Sequence, residues 1–261
     1  MAQCIFKRLE IKYLLSEKQY NQITDRLSSH MEVDEYGLST ISSIYYDTEN
    51  YDIIRTSLEK PEYKEKLRLR TYGEVKDDSV AFLELKKKYD GVVYKRRITL
   101  PLKEAEDYLN HGIYPSKDSQ ILREIDYFIK MYKPTGRTYV AYDRIAMYGI
   151  EDESLRITFD KNIRTAFDRG SLRSGKEGSP VIKEGERLME IKASGAMPMW
   201  LVNILSDLKI YPVSFSKYGT ACKLYMDYGK ASVEYSVPAT AMNKTSREYI
   251  PSINLSIRKF A

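Results

Sequence analysis

The feature that most limits what this chain can become is a repeated strand pattern in which Glu and Lys stand two residues apart between aliphatics. It occurs at Leu188-Met189-Glu190-Ile191-Lys192, at Glu10-Ile11-Lys12 and at Glu84-Leu85-Lys86. Related alternations lie at Leu67-Arg68-Leu69-Arg70, Lys95-Arg96-Arg97-Ile98-Thr99 and Leu155-Arg156-Ile157-Thr158. Side chains two apart on a strand share a face, so most of these stretches put aliphatics on one side and long charged groups on the other. A single strand of this kind is an ordinary solvated face. Six in one chain fit a closed sheet whose outside is packed under helices and whose inside is a polar bore.

The charges that would line such a bore do not balance. Lys12, Arg68, Arg70, Lys86, Lys95, Arg97, Arg156, Lys192 and, near the end, Lys217 stand against Glu10, Glu84 and Glu190. Buried unpaired charge costs more than a fold of this size can absorb, so the bore must be wet or filled by an anion. Arginine forks and lysine point charges suit phosphate oxygens. Residues i and i+2 lie roughly 6.8 Å apart along a strand, so rows of them can grip successive phosphates of a chain. A carboxylate among such cations suits Mg²⁺ or Mn²⁺, which takes one or two protein carboxylates and completes its shell with phosphate and water.

Composition sets the frame. The 261 residues are 43% apolar, enough for a core and against global disorder. The net charge of +5 points to an anionic partner only if the cations cluster, and 23 tyrosines favour sheet. Cys4 and Cys222 are too few for a disulfide framework. The first residues lack a signal peptide's apolar core, and no apolar run approaches transmembrane length. The expectation is a soluble cytoplasmic protein, and any export of its product would need a membrane partner.

In chain order, Phe6 to Leu15 reads as a strand. Ser16 and Gln19 form a capping-box pattern, and Tyr20, Ile23, Leu27 and Met31 give the following helix one stripe. Strands are predicted over 41–46, 65–72, 81–88, 92–100, 138–148, 155–160 and 188–193, with Asp90-Gly91 as a hairpin turn. Helices are predicted over 103–109 and around Ile121 to Tyr132, ended by Pro134. A further helix carries Met199, Val202, Leu205 and Leu208, and Phe215 to Tyr225 forms a last helix or its approach. Tyr51 to Ser57 reads as a short helix or turn, and 168–187 as a long loop. Residues 1–230 make one domain, followed by a loosely held extension over 231–261. Antiparallel pairs with inserted helices give an α+β barrel.

The ordered series Arg8-Leu9-Glu10-Ile11-Lys12-Tyr13, Ser43-Ile44-Tyr45-Tyr46-Asp47, Lys66-Leu67-Arg68-Leu69-Arg70, Phe82-Leu83-Glu84-Leu85-Lys86, Tyr142-Asp143-Arg144, Leu155-Arg156-Ile157-Thr158-Phe159-Asp160, Leu188-Met189-Glu190-Ile191-Lys192 and Ser214-Phe215-Ser216-Lys217-Tyr218 resembles the VTC-type polyphosphate polymerase domain of the triphosphate tunnel metalloenzymes. The resemblance runs from about residue 6 to residue 226. It implies an eight-stranded antiparallel β-barrel forming a tunnel, with helices packed on its outside. It further implies transfer of the ATP γ-phosphate onto a growing polyphosphate chain with Mn²⁺ or Mg²⁺. By position, Lys12, Arg68, Arg70, Lys86 and Arg156 would be catalytic phosphate ligands, and Lys95, Arg97, Arg164 and Lys192 would add to them. Ser216 and Lys217 would touch the chain near one tunnel mouth. Glu190 would be the metal ligand, with Glu10 as a second. The wider superfamily carries Glu-x-Glu-x-Lys on the first strand. Arg8 stands at its first position here, which weakens Glu10 as a metal site and favours the polymerase branch.

Phosphoryl transfer needs in-line positioning and charge neutralisation more than acid–base chemistry. That agrees with a chain whose only histidines, His30 and His111, lack the partners of a triad or metal site. Gly170 to Lys176 imitates a phosphate-binding loop, but Glu177 stands where that motif needs Ser or Thr. Asn243-Lys244-Thr245 and Asn254-Leu255-Ser256 match a glycosylation pattern that means little without secretion. Two other readings share the same residues. One is a hydrolase of tripolyphosphate or nucleoside triphosphates; the other is a non-enzymatic polyphosphate or nucleic-acid binder. Nucleic-acid recognition through a barrel usually sets exposed aromatics beside basics, whereas here the basics alternate with aliphatics.

Overall fold

The computed structural model describes residues 9–90, 92–116, 118–168, 171–174 and 178–234, with side chains as far as 226. The sheet contains β1 (Leu9–Leu15), β2 (Met31–Asp47), β3 (Tyr63–Tyr72), β4 (Val80–Tyr89), β5 (Val92–Pro101), β6 (Thr135–Gly149), β7 (Arg156–Phe167), β8 (Ser179–Pro180) and β9 (Arg187–Ala193). Its hydrogen-bonded order is β1-β9-β7-β6-β2-β3-β4-β5, with β8 added beside β7, and every pairing is antiparallel. Among the described residues no ladder joins β1 to β5, so this barrel-like sheet keeps one seam. Residues 212 and 213 cover part of the β1 edge: Pro212 bridges Tyr13, and the Val213 N–H donates to Lys12 O at 2.7 Å.

The aliphatic faces of most of the long strands are turned outward under helices over at least part of their length. One flank packs β1, β7 and β9 against α1 (Glu17–Leu27) and α5 (Met199–Asp207). There Tyr13, Leu15, Ile157, Met189 and Ile191 meet Ile23, Leu27, Leu201 and Leu205. The other flank packs β2, β3, β4 and β6 against α2 (Asp52–Leu58), α3 (Leu102–His111) and α4 (Gln120–Tyr132). Here Leu67, Leu69, Leu83 and Leu85 meet Ile53, Leu102, Leu122, Ile125 and Phe128. Each buried aliphatic side chain contributes on the order of 1.5–3 kcal/mol, and with the outer face so used, the charged face of each strand is left to the interior. The chain resolves into two compact units, to Ala221 and from Cys222. The last helix, α6 (Lys217–Glu234), starts in the first and continues into the second.

Most predicted elements are present, with differences at their ends, and β2 begins at Met31, ten residues before the predicted 41. Met31 belongs to β2 rather than to the stripe of α1, which ends at Leu27; it is buried in the same cluster from the strand side. β7 does not stop at Asp160. It passes a bulge against β6, with Asn162 at a φ of +51°, a backbone state Asn tolerates better than most residues, and continues to Phe167. The 168–187 stretch holds a 3-10 turn (Leu172–Ser174) and β8. Residues 231–234 continue α6, and the rest of the predicted extension, from 235 on, lies outside the described residues, as does Arg8.

Candidate active site inside the sheet

The register places the charged residues in rungs that cross the inner face. In the central rung, Arg68 of β3 stands opposite Glu84 of β4, which stands opposite Arg97 of β5. The Glu84 side chain is 1% exposed. It accepts from Arg68 Nε at 2.6 Å, from Arg97 Nε at 2.6 Å and from Lys95 Nζ at 2.7 Å. Burial would push the Glu84 carboxyl up, but Arg68, Arg70 and Lys95 outweigh it and hold it well below the usual carboxylate range. One carboxylate thus fixes three cations, two of them guanidinium groups. Arg70, one rung further in, donates to Ser43 Oγ at 3.3 Å and to the Tyr142 hydroxyl at 3.2 Å.

Tyr45 faces Arg68 in register and accepts from its Nη1 at 3.1 Å. Burial alone would raise the Tyr45 phenol, yet Arg68, Arg70 and Lys66 pull it down to about 8. Its ring stacks on Tyr218 at 4.2 Å between centroids, and the Tyr218 hydroxyl donates to Asp47 Oδ2 at 2.6 Å. Asp47 also accepts from the N–H groups of Ile53 and Ile54, both at 3.0 Å, so this wall is tied to the start of α2.

A second group gathers on β1, β9, β7 and β6. Lys12 faces Glu190, Glu10 faces Lys192, Thr158 faces Glu190 and Arg156 faces Lys192. Glu190 pairs with Lys192 at 2.9 Å and Glu10 with Lys12 at 3.4 Å, while Lys12 Nζ also donates to Phe215 O at 3.2 Å. Burial opposes ionisation of Glu190, but Lys192, Lys12 and Lys217 outweigh it and keep its carboxyl well below the ordinary range. Arg144 holds Asp160 with both forks, at 2.6 and 2.8 Å, and Lys217 Nζ reaches the same carboxylate at 2.5 Å. Lys217 also lies 4.5 Å from the centre of the Tyr142 ring.

The sheet therefore brings together Lys12, Arg68, Arg70, Lys86, Lys95, Arg97, Arg156, Lys192, Glu10, Glu84 and Glu190 on one face, and Lys217 reaches Asp160 there from the start of α6. Two predicted site residues stand differently. Arg164 faces Ala141, whose side chain belongs to the outer cluster, and pairs with Asp143 at 3.5 Å. The bulge before it reverses the strand's parity and turns it away from Arg70. Ser216 Oγ accepts from the Gly219 N–H at 3.1 Å, a helix-capping bond at the start of α6. Sequence reasoning missed Arg144, Asp160, Lys66, Tyr45 and Thr158 as members of this face. Extending the period-two count from Arg68 to Lys66, and from Arg156 to Thr158 and Asp160, would have found three of them.

The donor set fits a hard divalent cation carried in with phosphate better than a permanent one. Among the described residues no cluster of three or more His, Cys, Asp or Glu side chains could enclose a metal. Glu190, with Glu10 diagonal to it across the β1–β9 ladder, offers carboxylate oxygens. The buried Thr158 hydroxyl, opposite Glu190, has no hydrogen-bond partner among the described residues. Such a set leaves most of an octahedral shell to phosphate and water.

The VTC domain model matches residues 7–226. Over 161 residues the chain is 26% identical to the vacuolar transporter chaperone complex subunit 4 of Schizosaccharomyces pombe, covering 52% of this chain and 22% of that protein. The chain thus corresponds to about a fifth of the length of that relative. Among solved structures, a putative adenylate cyclase from Bacillus halodurans superposes with a TM-score of 0.51 at 14% identity, covering 82% of this chain and 96% of the other. That likeness establishes the tunnel fold alone. Among the described residues no helix is long and apolar enough to cross a membrane.

Proposed function

Because the chain belongs to the VTC domain family, we propose that it is an ATP-dependent polyphosphate polymerase. In this reading the γ-phosphate of ATP is transferred to the terminal phosphate of a polyphosphate chain held against the inner face of the sheet. The observation that carries the proposal is the central rung, where a buried Glu84 holds Arg68, Arg97 and Lys95 in fixed positions facing the interior. Such preorganised donors are what a transferring phosphoryl group requires, since most of its catalysis is positioning and charge neutralisation.

In the transfer, a terminal oxygen of the acceptor chain bonds to the γ-phosphorus as the bond from that phosphorus to the β,γ-bridging oxygen breaks, and ADP leaves with the electron pair. The attacking oxygen is already anionic at neutral pH, so no general base is needed. Arg68, Arg70 and Lys86 hold the γ-phosphate from the β3–β4 side. Lys12 and Arg156 approach from the opposite wall, and Lys95, Arg97, Lys192 and Lys217 neutralise the flanking phosphates. Mn²⁺ or Mg²⁺ would be held by Glu190 with Glu10 beside it, and it would neutralise charge on the phosphate oxygens. The partners in this reading are ATP and polyphosphate, not nucleic acid.

The test is incubation of the purified protein with ATP and Mn²⁺, followed by gel analysis. Long polymers digested by an exopolyphosphatase support the polymerase, and Glu190→Ala and Arg68→Ala should abolish them. Free phosphate as the sole product would replace this reading with hydrolysis. Tight binding of polyphosphate without turnover would replace it with a binding module.

A further inference from the structure

The outer face of the sheet runs out from under its helices at the Tyr63 end of β3. There Tyr63 stands opposite Tyr89, Tyr89 opposite Val92, and Tyr94 opposite Lys87, all with the parity of the buried leucines of β3 and β4. On α4, Tyr127 and Met131 lie one turn apart, on the side that also carries Glu124. Glu124 holds Arg96 of β5 at 3.1 Å. Tyr132, at the end of the same helix, lines a small cleft with Tyr63 and Glu65, so the helix and the strand ends form one surface. Tyr63, Tyr89, Val92, Tyr94, Tyr127 and Met131 are each between 41% and 68% exposed. Side chains of this size then leave on the order of 600 Å² uncovered, at the top of the range for the largest apolar patch on an ordinary monomer. The charges within the patch cancel. Lys87 and Arg96 share Glu124, at 4.0 and 3.1 Å, and Lys130 holds Asp126 at 2.6 Å. Glu65, the third carboxylate, accepts from the Tyr63 hydroxyl at 2.9 Å.

We infer that this surface is the contact between two copies of the chain, related by a two-fold axis. A patch whose cations and carboxylates cancel has no field with which to draw in anionic lipid or nucleic acid, and it does not repel its own copy. Tyrosine and methionine are enriched at the centres of protein interfaces, and free charge is depleted there. A standard interface buries roughly 800 Å² on each partner, and the exposed apolar side chains supply most of that. Two-fold symmetry asks for one patch alone, because the same residues serve on both sides. Lys64, Arg68 and Lys86 alternate with the patch residues along β3 and β4 and lie on the inner face. The contact therefore leaves the cationic face untouched, and the inference stands apart from the polymerase reading.

The test is analytical ultracentrifugation of the full chain over a dilution series. Wild type is compared with the double variant Tyr127→Glu/Met131→Glu on α4 and with Tyr89→Ser/Tyr94→Ser on the strands, and circular dichroism reports that each variant folds. Wild type should be dimeric at roughly 100 µM and dissociate on dilution, with little change between low and high salt. Each double variant should raise the dissociation constant about tenfold or more. Tyr36→Glu, at a position 71% exposed and at the opposite end of β2, should leave the dimer intact. A wild type that stays monomeric at that concentration would overturn the inference. So would a dimer that survives in the folded variants, one that Tyr36→Glu disrupts, or one that salt dissolves. Binding of a monomer to anionic lipid vesicles through Tyr127 and Met131 would assign the surface to a membrane and overturn it as well.

Discussion

Glu84 shows how a single residue can organise a site without touching the reaction. Its carboxylate holds Arg68, Arg97 and Lys95 together, so removing the charge leaves three cations facing one another. Glu84→Gln should cost about 3 kcal/mol of stability in urea unfolding, since breaking a buried pair exposes the full cost of the groups left behind. The pH dependence follows from the depressed carboxyl. Its contribution is complete above the ordinary glutamate value of 4.5 and drains away as the pH falls below it. The wild-type protein should therefore lose stability through that range, and Glu84→Gln should lose less. Tyr45 makes a second prediction. Its phenol ionises at about 8 because Arg68, Arg70 and Lys66 overcome the effect of burial. The phenolate then supplies a negative charge that competes with phosphate for those cations. Tripolyphosphate affinity should fall as the pH rises through 8, and Tyr45→Phe should flatten that profile while leaving affinity at pH 7 nearly unchanged.

At the scale of the element, the sequence was most legible where local pattern and tertiary role agree. The alternations at 67–70, 84–86 and 188–192 reveal both the strands and the face that carries charge, because the outer helices demand an aliphatic surface from β3, β4 and β9. The N-terminus of α1 was equally plain. Ser16 and Gln19 form both bonds of a capping box, with Gln19 N–H donating to Ser16 Oγ at 3.3 Å and Ser16 N–H donating to Gln19 Oε1 at 3.1 Å. Ser16→Ala should lower stability by about 1 kcal/mol in chemical denaturation without altering phosphate binding. What could not be read was the bulge between β6 and β7. A bulge inserts a residue and inverts parity beyond it, and no residue type announces that inversion. A period-two count from Arg156 puts Arg164 on the charged face, whereas the bulge sets it beside Ala141 on the other, and Arg144, which clasps Asp160, lies outside the alternating stretches.

On the scale of the molecule, one arrangement organises the described residues of the unit that ends at Ala221. A sheet of nine strands turns its aliphatic face out under two groups of helices, and cations from β1, β3, β4, β5, β6, β7 and β9 meet on the other face. The surplus of positive charge is tolerable only where solvent or an anion fills the interior. The fold makes Arg70 a decisive probe, because it is buried, held by Ser43 and Tyr142 at 3.3 and 3.2 Å, and lies on the inner face away from both helical cores. The most direct measurement is calorimetric titration of tripolyphosphate into the wild-type protein and Arg70→Ala at several salt concentrations. The account predicts saturable binding that weakens with salt, and a loss of about tenfold or more in the variant while its fold persists by circular dichroism. Absence of binding to the wild type, or equal affinity in the folded variant, would contradict the claim that this inner face holds a phosphate chain.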